Sequence, residues 1–478
     1  MSKLHQEKWM DCCEKIVMAL LCVLMADCAF FGAGRTIEVG PLGFRMMLVG
    51  LVMVAGLPVM VRHFKKLVSS GILWIFAAFA MWLVLQTVRG ILRGNHFGIL
   101  LSDLKGFCYL VVMLPAICVL NSKTRIHRLM KVMLWTCAAL AVATLAATCL
   151  YKWDHDLLMK IYGLDPDKFI LNISVIIQRK VPRLFFKSVN YLLAGCAFSV
   201  YFFVTEKGKY RWIYPALTGF FLFALLMSYT RAVYLAACIA AVMLVLVFQI
   251  YGDRESRIRL WKHLVAATLV FAVITGGLGA VMGTNYVEHG LRRVVATFGT
   301  TEEATASVPE AAPQMTNVGA PQVVRLSNVV PAVEAPKKEN NYAESMTHAS
   351  DAIREMTLRE MTSYIRSAPV LGHGLGKAIT CRQDGMSEYF YHDLLVKTGV
   401  IGLILYLLPV LWMLMGLVKK GFSKTDKLML GSWLAVLLGF MGFSYYNPYM
   451  NASLGILFYC CTLGVFVNLK RKRNFDRN

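Results

Sequence analysis

Runs of mainly apolar residues recur from end to end of this chain. Each is close to the roughly 20 residues that an α-helix needs to cross the hydrocarbon core of a bilayer. They restrict the chain to a helical membrane fold, because in lipid the backbone polar groups must be hydrogen-bonded within the segment itself. Composition agrees: 57% of the 478 residues are hydrophobic and 16% are charged. A water-soluble domain of this length would expose far more charge.

The spacing of the runs predicts an all-α integral membrane protein with about twelve crossings. They fall near 14–33, 42–61, 71–88, 103–120, 129–150, 189–205, 211–228, 231–250, 262–283, 394–418, 428–446 and 451–469. Four parts follow: 1–188, with five helices and a first outer loop; 189–283, with helices 6–9; 284–393, a large outer loop; and 394–478, with helices 10–12 and a basic tail. The formal net charge of +22 could suit a nucleic-acid binder. However, the cations fall mainly in short clusters between apolar runs, as membrane topology demands. Arg62 to Lys66, Lys123 to Arg128, Lys207 to Arg211, Arg254 to Lys262, Lys419 to Lys427 and Lys470 to Arg473 all fall on one side when crossings are counted from a cytoplasmic N-terminus. Both ends are then cytoplasmic. The first apolar run lacks a small-residue cleavage site and reads as an anchor. Most of the 13 cysteines lie within apolar runs, so no disulfide framework is indicated.

Positive charge on the opposite side is the exception to that bias. Segments 151–188 and 284–393 carry Arg179, Lys180, Arg183 and Lys187, and Arg292, Arg293, Arg354, Arg359 and Arg366. Long loops cross regardless of charge, so most of these are expected to be solvated surface. Residues 300–341 are rich in Ala, Pro, Val and Thr without period and read as a flexible insert. From Tyr342 to Ser367 the spacing predicts an amphipathic helix lying on the membrane face.

Four constellations could carry chemistry. Arg231, in Ser228-Tyr229-Thr230-Arg231, sits between two apolar runs with almost no loop, so it either snorkels or holds an anion. Arg354, Arg359 and Arg366 share the amphipathic helix; guanidinium forks suit phosphate oxygens, although each alone fits a solvated face. His392, next to Asp393, stands at the lip of the run 394–418, where an imidazole could act as a general base or be structural. Gly372-His373-Gly374-Leu375-Gly376 has no preceding strand and reads as a tight turn, not a dinucleotide loop. The chain has no ATPase-type phosphate loop, no His-Glu-x-x-His, and no Asp-x-Asp in the segment Gly34 to Leu42. A phosphate ester would therefore have to be neutralised by arginines, without metal.

Taken together, Arg354, Pro369, Gly372-x-Gly374, His392-Asp393-Leu394-Leu395 and Gly399-x-x-Gly402 resemble the signature of the O-antigen ligase and polymerase superfamily. Ser228 to Leu235 is similar to the Ser-Arg-Gly/Ala-x-x-Leu step of that family, in the expected order. The resemblance covers about 190–470. This chain departs from it in having Asp393 where Asn is commoner, and in the insert.

The resemblance implies glycan transfer at the periplasmic face of a bacterial inner membrane. The donor would be an undecaprenyl-pyrophosphate-linked glycan, and the acceptor lipid A-core or a second lipid-linked glycan. Ligation is placed ahead of polymerisation, and the reaction would be inverting and independent of cofactor or metal. Arg231 and Arg354 are carried over as the pyrophosphate clamp and His392 as the catalytic base or positioning group, with Arg183, Arg359, Arg366 and Asp393 in support. Membrane lipids are partners, a chain-length regulator is allowed, and nucleic acid is not expected. The rival of another class is a polytopic transporter or lipid-carrier flippase, which would carry its ionisable groups near the bilayer midplane. An attachment scaffold for other envelope enzymes is a third.

Overall fold

Lipid offers the backbone no hydrogen-bond partner, so each apolar run closes its own helical ladder. The computed structural model describes residues 3–32, 38–39, 42–153, 173–178, 181–295, 340–382, 385–419 and 421–475. Its helices are α1 (Lys3–Phe31), α2 (Phe44–Arg62), α3 (Phe64–Ser69), α4 (Ile72–Leu92), α5 (Phe97–Cys108), α6 (Met113–Val119), α7 (Lys123–Trp153), α8 (Leu192–Thr205), α9 (Ile213–Met227), α10 (Arg231–Tyr251), α11 (Arg254–Met282), α12 (Tyr286–Val295), α13 (Asn340–Ser367), α14 (Phe390–Val418), α15 (Lys424–Phe443) and α16 (Ser453–Phe475). A 3-10 turn, Tyr109–Val112, joins α5 to α6 as one apolar span. Among the described residues, 10 helical segments are long and apolar enough to cross a membrane. The chain is thus a helical, multi-pass membrane protein. Most of the insert, residues 300–339, lies outside the described residues.

Two small antiparallel hairpins interrupt the helices. Strand β1 (Glu38–Val39) pairs with β2 (Leu42–Gly43), and β3 (Ile173–Gln178) with β4 (Val181–Phe186), in register from Ile173↔Phe186 to Gln178↔Val181. Strands this short give hydropathy almost no period to detect. They qualify the all-α expectation without changing the class.

α15 and α16 form the centre of the bundle: 78% and 83% of their apolar windows are buried, against 11% for α11. Trp433 of α15 packs on Phe198 and Phe458 at ring separations of 4.9 and 5.0 Å. α10 runs antiparallel along α15, with glycines at the contact: Gly431 faces Val247, and Gly439 faces Ala236 and Ala240. Small residues allow backbones this close where lipid supplies no hydrophobic drive. The same register puts Arg231, at the start of α10, level with the end of α15 near Phe443.

Both buried carboxylates of α1, Glu14 and Asp27, are paired. Arg45 on α2, 1% exposed, donates to Asp27 on α1 at 2.6 Å and to Ser453 on α16 at 2.8 Å. At the opposite end of the bundle Glu14 holds Arg125 at 2.6 Å and His63 at 3.1 Å. A second membrane-level pair moves a helix boundary. Hydropathy starts the fourth crossing at Asp103, whereas α5 begins at Phe97 and carries Asp103 inside it. A lone carboxylate there would be expensive, but Asp103 has a cationic partner on α14.

Candidate functional site

The site is built around a break in α14. At Gly399 the backbone turns to φ 67°, ψ −173°, which parts Phe390–Thr398 from the long remainder of the helix. The loop 369–376 fills the break. His373 N–H donates to Val396 O at 2.7 Å and Gly374 N–H to Lys397 O at 3.0 Å, while Pro369 O accepts from Val400 N–H at 2.9 Å. These bonds occupy backbone groups that the break deprives of helical partners. Glycine is required where the chains touch: a Cβ on Gly399 would lie 2.1 Å from Val370 O, and one on Gly372 2.6 Å from Gly399 N.

The other side of the loop is held by α4 and α5. Leu375 N–H donates to Gln86 O at 3.0 Å, and the Asn95 amide reaches the carbonyls of His373, Gly374 and Leu375 at 3.2, 3.3 and 2.9 Å. Gly376 N–H donates to Asp103 Oδ2 at 3.0 Å. The glycine-rich turn is therefore a wedge clamped between three helices.

Phe390–Thr398 has two working faces. On one, Lys397 Nζ lies 2.8 Å from Asp103 and 2.9 Å from Asp393, with Lys397 and Asp393 4% and 7% exposed. These three charges line a cavity of about 920 Å³. Asp393, next to His392 in sequence, turns away from the histidine and pairs with Lys397, because successive residues of a helix point about 100° apart.

The other face carries His392. Its ring lies against Tyr389 and Tyr445, at 5.8 and 6.0 Å between centroids, and its Nδ1 is enclosed without a hydrogen-bond partner among the described residues. Tyr389 packs with Met361 of α13, the helix that also carries Arg354. Burial pushes the Tyr389 phenol up from its ordinary value and the Arg354 guanidinium pulls it down. Arg354 Nε also lies 3.4 Å from Glu388, which in turn holds Arg382 at 3.2 Å.

The remaining sequence candidates separate. Arg231 begins α10 just after Tyr229, the one non-glycine residue with positive φ (43°) among the described residues; the α10–α15 register puts it near the end of α15, where Tyr445 lies against His392. Arg359 is 78% exposed and pairs with Glu355 at 2.6 Å, and Arg366 is exposed near the end of α13. Neither converges on His392. Arg183 lies on β4, opposite Ile176.

Sequence reasoning missed Asp103, Lys397 and Glu360. The first two had a signal: Asp393 and Lys397 are spaced i, i+4 at the start of an apolar run, and Asp103 stands inside another. Glu360 accepts from Thr380 N–H, Thr380 Oγ1 and Cys381 N–H at 2.7, 2.7 and 3.0 Å. Partial burial raises its carboxyl, but these bonds outweigh that and hold it at about 2. Among the described residues, no group of three or more His, Cys, Asp and Glu side chains converges as a metal site would. No known protein-family model matches the chain, and no curated protein is significantly similar to it.

Proposed function

We propose that this protein transfers a glycan from undecaprenyl pyrophosphate to an acceptor at the periplasmic face of a bacterial inner membrane, with ligation to lipid A-core as the first reading. With α1 and α8 added to the longer spans the helices number twelve, which gives cytoplasmic termini and a large periplasmic loop between the ninth and tenth crossings. The charge bias of the short basic segments supports that orientation.

The observation that carries the reading is that α13, which bears Arg354, packs through Met361 on Tyr389 beside the His392 ring, with Arg354 3.4 Å from Glu388. In the proposed reaction the bond between the anomeric carbon and the pyrophosphate oxygen breaks, and its electron pair leaves with the pyrophosphate. Arg354 and Arg231 offset that charge, which preorganised guanidinium groups do better than water. The acceptor oxygen bonds to the opposite face of the anomeric carbon, inverting it, and its proton passes to His392. Arg359 and Arg366 have no part in this scheme.

A transporter is the second reading, favoured by the buried Asp103–Lys397–Asp393 group, since ionisable residues within membrane helices often mark transport paths. The lipopolysaccharide of a deletion strain separates the readings. Bare core beside accumulated lipid-linked polymer supports ligation, and core bearing one repeat supports polymerisation. An unchanged profile would refute both.

A further inference from the structure

We propose that the cavity floored by Asp103, Asp393 and Lys397 is a binding site for a neutral, hydroxyl-rich saccharide; on the glycan-transfer reading, on which this last step rests, it seats the acceptor glycan. The cavity, about 920 Å³, falls within the ~300–1,000 Å³ usual for ligand sites. The whole lining carries Lys105, Lys187, Arg382 and Lys397 against Asp103, Glu388 and Asp393, but its buried floor argues against an anionic occupant. The floor has two carboxylates for one ammonium, with Lys397 2.8 and 2.9 Å from its partners, and on the wall Arg382 lies 3.2 Å from Glu388. Lys105 and Lys187 also line the cavity, but both are solvent-exposed. A phosphate entering the floor would meet Asp103 and Asp393 around an ammonium that they already neutralise, and burying it there would be costly.

Hydroxyl groups have the opposite balance. Carboxylate oxygens accept from them, and the amides of Asn447 and Asn451 both donate and accept. Tyr109, which lines the cavity and is 9% exposed, adds a small aromatic surface for the apolar face of a sugar ring. The cavity and His392 share the segment Phe390–Thr398, so one helical element serves both sites.

The test uses the purified full-length protein in detergent and needs no donor. Saturation-transfer NMR with maltotetraose and chitotetraose reads saccharide binding, and inorganic pyrophosphate is the anionic competitor. Ser102→Trp and Ala452→Trp fill the cavity and leave the three floor charges in place; Asn447→Ala removes one amide if either tryptophan variant fails to fold. The proposal expects at least one saccharide to bind, each folded variant to weaken it by about tenfold or more, and pyrophosphate not to displace it. It is overturned if neither saccharide binds the wild type, if pyrophosphate displaces the saccharide, or if the folded variants bind as the wild type does. A protein that binds saccharide but transfers nothing sinks the transferase reading alone. Transfer accompanied by saccharide affinity that is indifferent to these variants sinks this inference alone.

Discussion

Lys397 donates to Asp103 across 2.8 Å, joining side chains 294 residues apart in sequence. Asp103 Oδ2 also accepts from Gly376 N–H. A single carboxylate therefore ties α5 to the broken end of α14 and to the wedge loop.

Removing the ammonium should be costly. Lys397→Met leaves Asp103 and Asp393 buried without a cation, and breaking a buried pair costs about 3–5 kcal/mol. Thermal unfolding in detergent should show a large drop for Lys397→Met and substantial recovery when Asp103→Asn and Asp393→Asn are added. A Lys397→Met protein that melts with the wild type would contradict the pairing.

The break at Gly399 should tolerate no side chain. Gly399→Ala imposes positive φ on an L-residue, a strain of about 1–3 kcal/mol, and its Cβ would meet Val370 O at 2.1 Å. The wedge loop should loosen, seen as lower melting temperature and faster proteolysis between 369 and 376. Gly276→Ala, with nothing within 4 Å of its Cβ, should be neutral or stabilising.

Glu360 makes one anchor pH-dependent. Its folded pKa, about 2, lies below the ordinary 4.5, so its contribution is fully present above that ordinary value and is lost as pH falls towards 2. Hydrogen exchange at the Thr380 and Cys381 amides, corrected for intrinsic rate, should show protection fading over that interval. Glu360→Gln should remove the dependence, and an unchanged pH profile in that variant would assign it elsewhere.

Cys381 and Lys424 lie at opposite ends of the bundle. In a background lacking other cysteines, an impermeant thiol reagent should label Cys381 in intact cells with a permeable outer membrane, and Lys424→Cys only after lysis. Equal labelling of both before lysis would refute the orientation.

The helical fold was legible because lipid enforces one hydropathic rule on every span, and the long runs obey it. The wedge was half legible: Gly372, Gly374 and Gly376 announced a tight turn, but nothing local to either segment says that this loop inserts into a break of the following helix at Gly399. The pairing of Asp393 with Lys397 was not legible beside His392, because adjacency in sequence is not adjacency on a helix. Asp103 lay hidden because its partner, Lys397, is distant in the chain, and a hydropathy window records a charge without knowing that it is neutralised. Arg354 could not be singled out from Arg359 by spacing; the reach of Arg354 to Glu388, just before α14, and the pairing of Arg359 with Glu355 on its own helix separate them.

The most direct test of the central claim is transfer from a lipid-linked donor by purified protein, comparing His392→Ala, Arg231→Ala, Arg354→Ala and Arg359→Ala. Loss of a charge-stabilising group costs about 10²–10³ in rate, and loss of a general base about 10²–10⁴. The account predicts losses of that size for the first three variants, and a rate for Arg359→Ala close to wild type. Wild-type transfer by His392→Ala, or losses as large for Arg359→Ala as for Arg354→Ala, would contradict it.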